Sequence, residues 1–307
     1  MASGAKQSEV LVEAAGLTDV GHERESNEDA FLIATLQRTM EVHEASPGAH
    51  GWFKGAPAGT LLVVADGMGG QGGGAVASRT AVNAVADYLL NVMPWAKATV
   101  PEPSPSARPS QEPAARLSQM GVRAQLSSAL VAGDAQVKTT GAQTNTPHMG
   151  TTLTIALVLW PALYVAHVGD TRCYLLQQGT LWRLTTDHNM AQRLVDESPH
   201  SIDPPEYLQS VLWNSLGATN ELPVPEVAKK QLEMGATLLL CSDGLNKHVT
   251  DEQIKEVLER QESCAARAAR LVELANAGGG TDNVTAVVAQ LRPVGAYQHV
   301  LAEPNRG

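Results

Sequence analysis

Three apolar stretches of the sequence end in the same way, with an aspartate that follows strand-forming residues. In VVADG, AHVGD and LLLCSDG these aspartates are Asp66, Asp170 and Asp243. Two further apolar stretches are preceded by acids, in the segments Asn27-Glu28-Asp29 and Thr281-Asp282-Asn283. If neighbouring strands bring these carboxylates to one rim, they repel one another and hold protons more tightly unless a cation compensates them. The pattern therefore predicts a cation site at the edge of a sheet.

The donor set of this predicted site consists of oxygen atoms, which suit Mg²⁺ or Mn²⁺ better than zinc. A zinc site would need clustered Cys or His ligands, but Cys173, Cys241 and Cys264 have no such spacing. Their odd number favours a reducing compartment, and the apolar surroundings of Cys241 predict a small core residue. A single Asp-Gly pair is usually only a turn, so the prediction depends on all five positions together.

The segment Val63–Gly74, VVADGMGGQGGG, allows a competing interpretation, because Gly67–Gly72 matches the G-x-G-x-x-G pattern of dinucleotide-binding loops. Such a loop belongs to a parallel strand-helix-strand unit. Here the helix-like segment Ala75–Val92 leads into a proline-rich stretch, and Asp66 would repel a pyrophosphate. We therefore expect the glycines to let the backbone approach an ion, with the Gly67 carbonyl available as a ligand.

The elements that must position these residues are indicated by β-branched and Leu-rich runs bounded by Gly, Pro or Asp. The predicted strands are Ala30–Leu36, Leu61–Ala65, Leu153–Trp160, Leu163–Val168, Arg172–Gln177, Leu181–Leu184, Leu238–Ser242 and Val284–Leu291. The predicted helices are Ala75–Val92, Ala114–Lys138, Ala191–Asp196, Asp251–Arg260 and Cys264–Ala277.

The connections between these strands predict the fold class. Pro161 separates two strands by too few residues for a crossover helix, and Gln178-Gly179 does the same for the next pair. Both connections predict antiparallel hairpins. Because strands follow one another in hairpins and helices come in pairs, the class is α+β with antiparallel sheets.

The 307 residues are predicted to form a single domain over 1–292, followed by a flexible tail over 293–307. Gln37–Gly59 and a proline-rich loop at about 94–113 read as insertions. The net charge of −10 argues against a nucleic-acid or anionic-membrane partner, and no apolar run is long enough to span a bilayer. The sequence thus favours a soluble, cytoplasmic protein.

The ordered set of motifs resembles the metal-dependent Ser/Thr protein phosphatases of type 2C, the PPM family, in their bacterial stand-alone form. The similar segments cover about residues 12–292 and are GHERESNEDA (Gly21–Ala30), VVADGMGG (Val63–Gly70), MGTTLTIA (Met149–Ala156), VAHVGDTRCYLL (Val165–Leu176), LTTDHN (Leu184–Asn189), LLLCSDGL (Leu238–Leu245) and GGTDNVTAVV (Gly279–Val288). The resemblance implies a β-sandwich of two antiparallel sheets flanked by helix pairs, with the metal site in the cleft between the sheets, and a monomer.

The resemblance also implies metal-binding roles for four of these positions. Asp66 resembles the ligand that bridges two Mn²⁺ or Mg²⁺ ions, and the Gly67 carbonyl resembles a ligand of one of them. Asp243 and Asp282 resemble ligands of the other ion.

Four other residues have roles implied by the same resemblance. Glu28 and Asp29 are similar to acids that hold waters around the ions. Asp170, together with Asp243, resembles the pair that binds a third, weaker ion. Arg24 matches the arginine that holds the substrate phosphate, although an isolated arginine among acids is more often a surface ion pair.

Several neighbouring residues are expected to have supporting roles. The segment Gly150-Thr151-Thr152 is expected to do backbone and packing work, Asn283 to order the loop around Asp282, and His188 to be structural. Met190–Asn214, within the variable flap of about 190–216, is a candidate for substrate selection. Met68 stands where other members have a histidine, which leaves the general acid unassigned.

The function implied by the resemblance is hydrolysis of phosphoserine and phosphothreonine in proteins by attack of a metal-activated water on phosphorus. The partners would be phosphorylated proteins, namely bacterial Ser/Thr kinases or their targets. A catalytically inactive relative that binds a phosphoprotein or kinase as a regulator remains the alternative.

Overall fold

A computed structural model describes residues 10–42, 51–70, 72–92, 112–197 and 204–294 of the chain. Within these ranges the strands are β1 (Val10–Asp19), β2 (Asp29–Val42), β3 (Gly51–Met68), β4 (Gly150–Thr151), β5 (Leu153–Leu159), β6 (Ala162–Val168), β7 (Arg172–Gln177), β8 (Thr180–Arg183), β9 (Glu226–Gln231), β10 (Thr237–Cys241) and β11 (Val284–Pro293). The helices are α1 (Gly73–Val92), α2 (Glu112–Gln143), α3 (Met190–Glu197), α4 (Asp243–Asn246), α5 (Asp251–Glu259), α6 (Cys264–Ala277) and a 3-10 helix, Glu206–Ser210.

The strands form two antiparallel sheets that pack face to face. One sheet has the order β1-β11-β10-β7-β8, and the other has the order β2-β3-β5-β6-β9, with β4 paired to the end of β3. Helices α1 and α2 cover the six-stranded sheet, while α5 and α6 cover the five-stranded sheet. The predicted α+β sandwich with flanking helix pairs is confirmed.

The central strands are apolar on both faces because each face is covered. In β3, Leu61, Val63 and Ala65 pack toward α1 and α2, whereas Leu62 and Val64 pack toward the other sheet. This alternation follows from the two-residue period of a strand. It explains why these strands read as continuous apolar runs.

The five-stranded sheet repeats this arrangement. Leu239 and Cys241 of β10 face the helices, while Leu238 and Leu240 lie between the sheets. Cys241 is therefore a core residue, as expected. All three cysteines are buried and unpaired.

The segment Gln37–Gly59, which the sequence leaves outside the predicted strands, is largely strand where the structure describes it. β2 continues to Val42 and β3 begins at Gly51, so most of this segment extends one hairpin. Pro57 is accommodated because it pairs with Gln37 at an irregularity in the register, a position where proline is tolerated. Residues 43–50 lie outside the described ranges.

Other boundaries also differ from the sequence prediction. Helix α2 begins at Glu112 rather than Ala114, because Pro113 is compatible with the first turn of a helix. Strands β1 and β9 were not predicted. Residues 93–111 and 295–307 lie outside the described ranges, so the proline-rich loop and the flexible tail remain predictions. Of the helices described, none combines the length and apolar character needed to cross a bilayer.

Candidate active site

A cavity of about 670 Å³ lies where the ends of several strands meet. Seven of the residues singled out from the sequence contribute to its wall, namely Arg24, Glu28, Asp66, Gly67, Asp170, Asp243 and Asp282. The eighth, Asp29, is buried within the protein, where it bonds to Ser242 and Thr285. The predicted rim of carboxylates therefore exists.

The sheet topology explains why these acids converge. Asp29 opens β2 and is the direct cross-strand partner of Asp66 near the end of β3. Asp170 follows β6, Asp243 follows β10, and Asp282 precedes β11. In antiparallel sheets the end of one strand lies beside the start of its neighbour, so the acids share one edge.

The backbone of Asp66 is held by two threonines. The Asp66 amide donates to Thr152 Oγ1 at 3.0 Å, and the Asp66 carbonyl accepts from Thr151 Oγ1 at 2.8 Å and from the Thr152 amide at 2.9 Å. These bonds fix the strand end from which the carboxylate projects. The backbone role expected for Gly150-Thr151-Thr152 is confirmed.

The glycines after Asp66 allow a close approach between a loop and a helix. A Cβ atom on Gly67 would collide with the Gly74 carbonyl, and one on Gly74 would lie 2.5 Å from Glu28 Oε2. The first turn of α1 can therefore pack directly against the strand end. Among the described residues, the next element after α1 is α2, and each strand paired with β3 is antiparallel to it. The dinucleotide-binding interpretation therefore does not fit.

Asp29 is a buried acid that joins the two sheets. Its Oδ2 accepts hydrogen bonds from Ser242 Oγ and Thr285 Oγ1, each at 2.7 Å, while its buried Oδ1 has no partner. Burial raises the pKa of Asp29 to about 7, with Asp243 and Asp282 adding to the rise and the two hydroxyl groups opposing it.

This raised pKa predicts a pH-dependent effect of Asp29→Asn on stability in EDTA. The folded state binds the Asp29 proton more tightly than the unfolded state, so this stabilisation is present at low pH and lost as the pH rises through about 7. The Asp29→Asn variant has no proton to lose at this position, so its stability does not fall in this way. We expect the free energy of unfolding of the variant, relative to wild type, to grow by about 1.4 kcal/mol per pH unit between about pH 4 and pH 7.

Urea unfolding at several pH values would check this expectation. Asp87→Asn makes the same chemical change on the exposed face of α1 and is the matched control. The raised pKa of Asp29 would be contradicted if the free energy of unfolding of Asp29→Asn, relative to wild type, stayed constant with pH or grew as the pH fell.

Three acids of the cavity wall, Asp66, Asp170 and Glu28, also have raised pKa values. Burial raises the pKa of Asp66 well above its usual value, and repulsion from Asp29, Asp243 and Asp170 adds to this. Burial and the nearby Asp243 likewise raise the pKa of Asp170. Burial also raises the pKa of Glu28. The site favours an added positive charge.

Asp282 already has two cationic neighbours. Arg24 lies 2.9 Å from Asp282 Oδ1 through Nε and 3.0 Å from Oδ2 through Nη2. Lys247 Nζ lies 2.7 Å from Asp282 Oδ2 and 2.6 Å from Asp243 Oδ2. Burial would raise the pKa of Asp282, but these cations outweigh it and the net shift is downward.

Lys247 is the cavity residue that sequence reasoning missed. It follows Asp243 by four residues, a spacing that on its own indicates only a helical ion pair. Burial lowers its pKa, but Asp243 and Asp282 outweigh that effect and the net shift is upward. Its position between two candidate ligands depends on the approach of β11, which a local spacing does not reveal.

Asn283 connects the two segments that carry acids. Its Oδ1 accepts from the Glu28 amide at 2.8 Å, and its Nδ2 donates to the carbonyls of Val20 and Ser26 at 2.9 and 3.0 Å. The loop before β2 is thus tied to the start of β11. The expected hydrogen bonds from the Asn283 side chain to the backbone are present, but they order the loop before β2 rather than the loop around Asp282.

The flap is attached to the same region through His188. Its Nδ1 accepts from the Gly169 amide at 3.2 Å and from Asn214 Nδ2 at 2.9 Å, and its ring lies 4.9 Å from that of Trp213. These contacts support the structural interpretation of His188. Leu212 of the flap contributes to the cavity wall.

The cavity residues fit divalent cations by their chemistry. All the candidate donors are oxygen atoms, and the buried Asp29 Oδ1 and Asp243 Oδ1 have no hydrogen-bond partner. Among the described residues, no three Asp, Glu, His or Cys side chains are already arranged as they would be around a bound ion. This arrangement agrees with the ion pairs of Asp243 and Asp282, because Lys247 and Arg24 occupy their oxygens.

Comparison with known proteins agrees with this fold. The family model described as protein phosphatase 2C matches residues 49–277. The chain belongs to the protein phosphatase 2C family. It is 36% identical over 235 residues to the serine/threonine protein phosphatase PstP of Mycobacterium tuberculosis, a match that covers 75% of this chain.

Two further matches support the same family. The serine/threonine phosphatase stp of Listeria welshimeri is 29% identical over 234 residues, which cover 75% of this chain and 84% of that protein. A crystal structure of the catalytic domain of PstP in complex with two manganese ions superposes with a TM-score of 0.68 at 31% identity, covering 92% of this chain and 100% of that chain. The match spans only 40% of the length of full PstP.

Proposed function

We propose that this protein hydrolyses phosphoserine and phosphothreonine in other proteins and that the reaction depends on divalent cations. The observation that carries the proposal is the convergence of strand-end carboxylates and Arg24 around one cavity, within a fold shared with phosphatases. Two Mn²⁺ or Mg²⁺ ions are the cofactors that such an oxygen donor set favours. The two manganese ions of the PstP complex support the same choice.

The proposed ligand roles are those that the family resemblance implies. Asp66, at the centre of the acids, would bridge two ions, and the Gly67 carbonyl would bind one of them. Asp243 and Asp282 would bind the other. The remaining acids would complete the surroundings: Glu28 and Asp29 would hold ordered waters, and Asp170 would contribute to a third, weaker site with Asp243.

The side chains of this chain would divide the work of the reaction. Bound ions would lower the pKa of a water and neutralise the phosphoryl oxygens in an in-line displacement. Arg24 has a side chain that is 55% exposed at the cavity, so its guanidinium can reach two oxygens of an incoming phosphate. Thr151 and Thr152 would keep Asp66 in place during turnover.

The proposed partners are phosphorylated proteins, in particular Ser/Thr kinases or their targets. The cavity is open enough to admit a phosphorylated side chain, and Ser210 and Leu212 of the flap contribute to its wall. The described parts of Met190–Asn214 would then contact residues beside the phosphate, while residues 198–203 lie outside the described ranges. This segment is the part of the chain that would select among phosphoproteins.

Hydrolysis of p-nitrophenyl phosphate tests the proposal directly. We expect turnover with Mn²⁺ or Mg²⁺ and none in EDTA, with activity restored when the metal is added back. A phosphoserine peptide and a phosphothreonine peptide, assayed by phosphate release, would test the substrate class. Turnover that is unchanged in EDTA would contradict the metal dependence.

The inactive-regulator alternative makes the opposite prediction for the same assays. A folded protein that binds a phosphopeptide with micromolar affinity but shows no turnover with any divalent ion would support it. The presence of five of the six expected acids in the cavity wall, with Asp29 buried as the cross-strand partner of Asp66, favours the enzyme.

A further inference from the structure

Lys247 lies between two of the proposed metal ligands. It directly follows α4, and its ammonium group lies 2.6 Å from Asp243 Oδ2 and 2.7 Å from Asp282 Oδ2. It thus bridges two acids whose sequence positions are far apart. A single cation between two carboxylates is the arrangement that a metal ion would produce there.

The oxygens of Asp282 are fully engaged. Oδ1 accepts from Arg24 Nε at 2.9 Å and from the Asn283 amide at 2.9 Å, and Oδ2 accepts from Lys247 and from Arg24 Nη2. Two carboxylate oxygens offer about four acceptor sites, so none is left for a further cation. An ion can bind Asp282 only if one of these donors leaves.

We propose that Lys247 is a resident cation that competes with divalent ions for Asp243 and Asp282. This inference rests on the proposed metal-binding role of the two acids. A divalent ion entering between them displaces the ammonium group. The competition sets the metal concentration at which the site fills.

Displacement follows from size and charge. Mg²⁺ binds carboxylate oxygens at about 2.0–2.1 Å, so the ion and the ammonium group cannot occupy the same gap. Their like charges also repel at short distance in a partly buried cavity. The side chain of Lys247 is 31% exposed, so solvent already reaches it.

A second cavity gives the displaced side chain a place to go. This cavity has a volume of about 280 Å³, and Lys247 contributes to both cavity walls. Asp170 and Asp187 contribute to the wall of the second cavity, but Asp187 is paired there with Arg172 and Arg183, so Asp170 is the acid that the ammonium group would meet. The flexible four-carbon stem of lysine permits this movement.

Calorimetric titration of Mn²⁺ into the metal-free protein tests the proposal. Lys247→Met removes the charge while keeping an unbranched side chain of similar length. We expect its Kd for Mn²⁺ to fall by about tenfold, since the ion no longer displaces or faces a cation. Lys247→Arg retains the charge and should not show this tighter binding.

Lys255→Met is the matched control. Lys255 belongs to α5, and its Nζ lies 3.7 Å from Glu259. Its side chain is 41% exposed and does not line the cavity. We expect its Kd to stay within about twofold of wild type, because surface ion pairs contribute little. Thermal melting adds a readout that does not involve activity: in EDTA, Lys247→Met should melt below wild type, and Mn²⁺ should raise its melting temperature more.

The outcomes separate this proposal from the proposed function. If wild type binds Mn²⁺ and Lys247→Met binds it with equal or weaker affinity, the competition is overturned while the metal site stands. If Lys247→Met instead raises KM for p-nitrophenyl phosphate with an unchanged Kd, Lys247 binds phosphate and the competition is again overturned. If wild type binds no Mn²⁺ at all, both proposals are wrong.

Discussion

Asp66→Asn should reduce turnover of p-nitrophenyl phosphate by at least about 100-fold at saturating Mn²⁺. Asp66 lies among the other cavity acids, and we propose that it bridges two ions. Ions of this kind supply several kcal/mol of charge stabilisation in the transition state, and a loss of about 3 kcal/mol corresponds to about 100-fold in rate. Asparagine keeps the shape of the side chain while removing the negative charge.

Steady-state kinetics and Mn²⁺ titration of the same sample would check this result. The variant should remain folded, because removing a buried charge from crowded carboxylates relieves repulsion in the metal-free protein. Asp87→Asn provides the same chemical change on an exposed helix face and should leave kcat unaltered. Near-normal activity of Asp66→Asn would exclude the proposed bridging role.

Arg24→Ala should raise KM for p-nitrophenyl phosphate by about 10- to 100-fold and change kcat less. Hydrogen bonds to charged groups contribute about 1.5–3 kcal/mol, which corresponds to that range. The effect falls on KM if the guanidinium binds the phosphate equally in the ground state and the transition state.

Arg270→Ala is a suitable comparison for Arg24→Ala. Arg270 is an exposed arginine of α6 that lies 3.7 Å from Glu273, and its removal should leave both constants unchanged. Because Arg24 also contacts Asp282, Mn²⁺ affinity should be measured alongside the kinetics. A normal KM with a reduced kcat would contradict phosphate binding as the main role of Arg24.

The convergence of the acids was predictable from sequence because each acid borders an apolar strand. Hairpin connections such as the one at Pro161 fix the antiparallel direction of neighbouring strands, and direction then decides which ends meet. The predicted family and fold class are both confirmed. The individual metal-binding roles stay predictions.

The elements that sequence reasoning missed carry weak local signals. β9 has the sequence EVAKKQ and lies at the edge of its sheet, so it lacks the apolar run of a central strand. β1 contains a glycine and is largely only half-buried. Such strands depend on a neighbour that is distant in sequence, and their own residues do not identify that neighbour.

The contacts that hold the acids are also long-range. Asp29 is bonded to Ser242 and Thr285, and Lys247 reaches Asp282, across separations that no local pattern encodes. Asn283 was identified through its motif, but its partners Val20 and Ser26 became apparent only in three dimensions. The sequence therefore predicted which acids meet, but it did not predict the hydrogen bonds and ion pairs that hold them.

The position of β11 has a consequence for when the protein can fold during its synthesis on the ribosome. This strand lies between β1 and β10, pairing residues such as Leu17 and Ala286 from opposite ends of the domain. Domains generally fold as units, and contacts between distant residues form slowly. While β11 is still inside the ribosome, the nascent chain lacks Asp282, the hydrogen bonds of Asn283 and a strand that lies between β1 and β10. Hydrolytic competence would therefore arise only after translation of the whole domain.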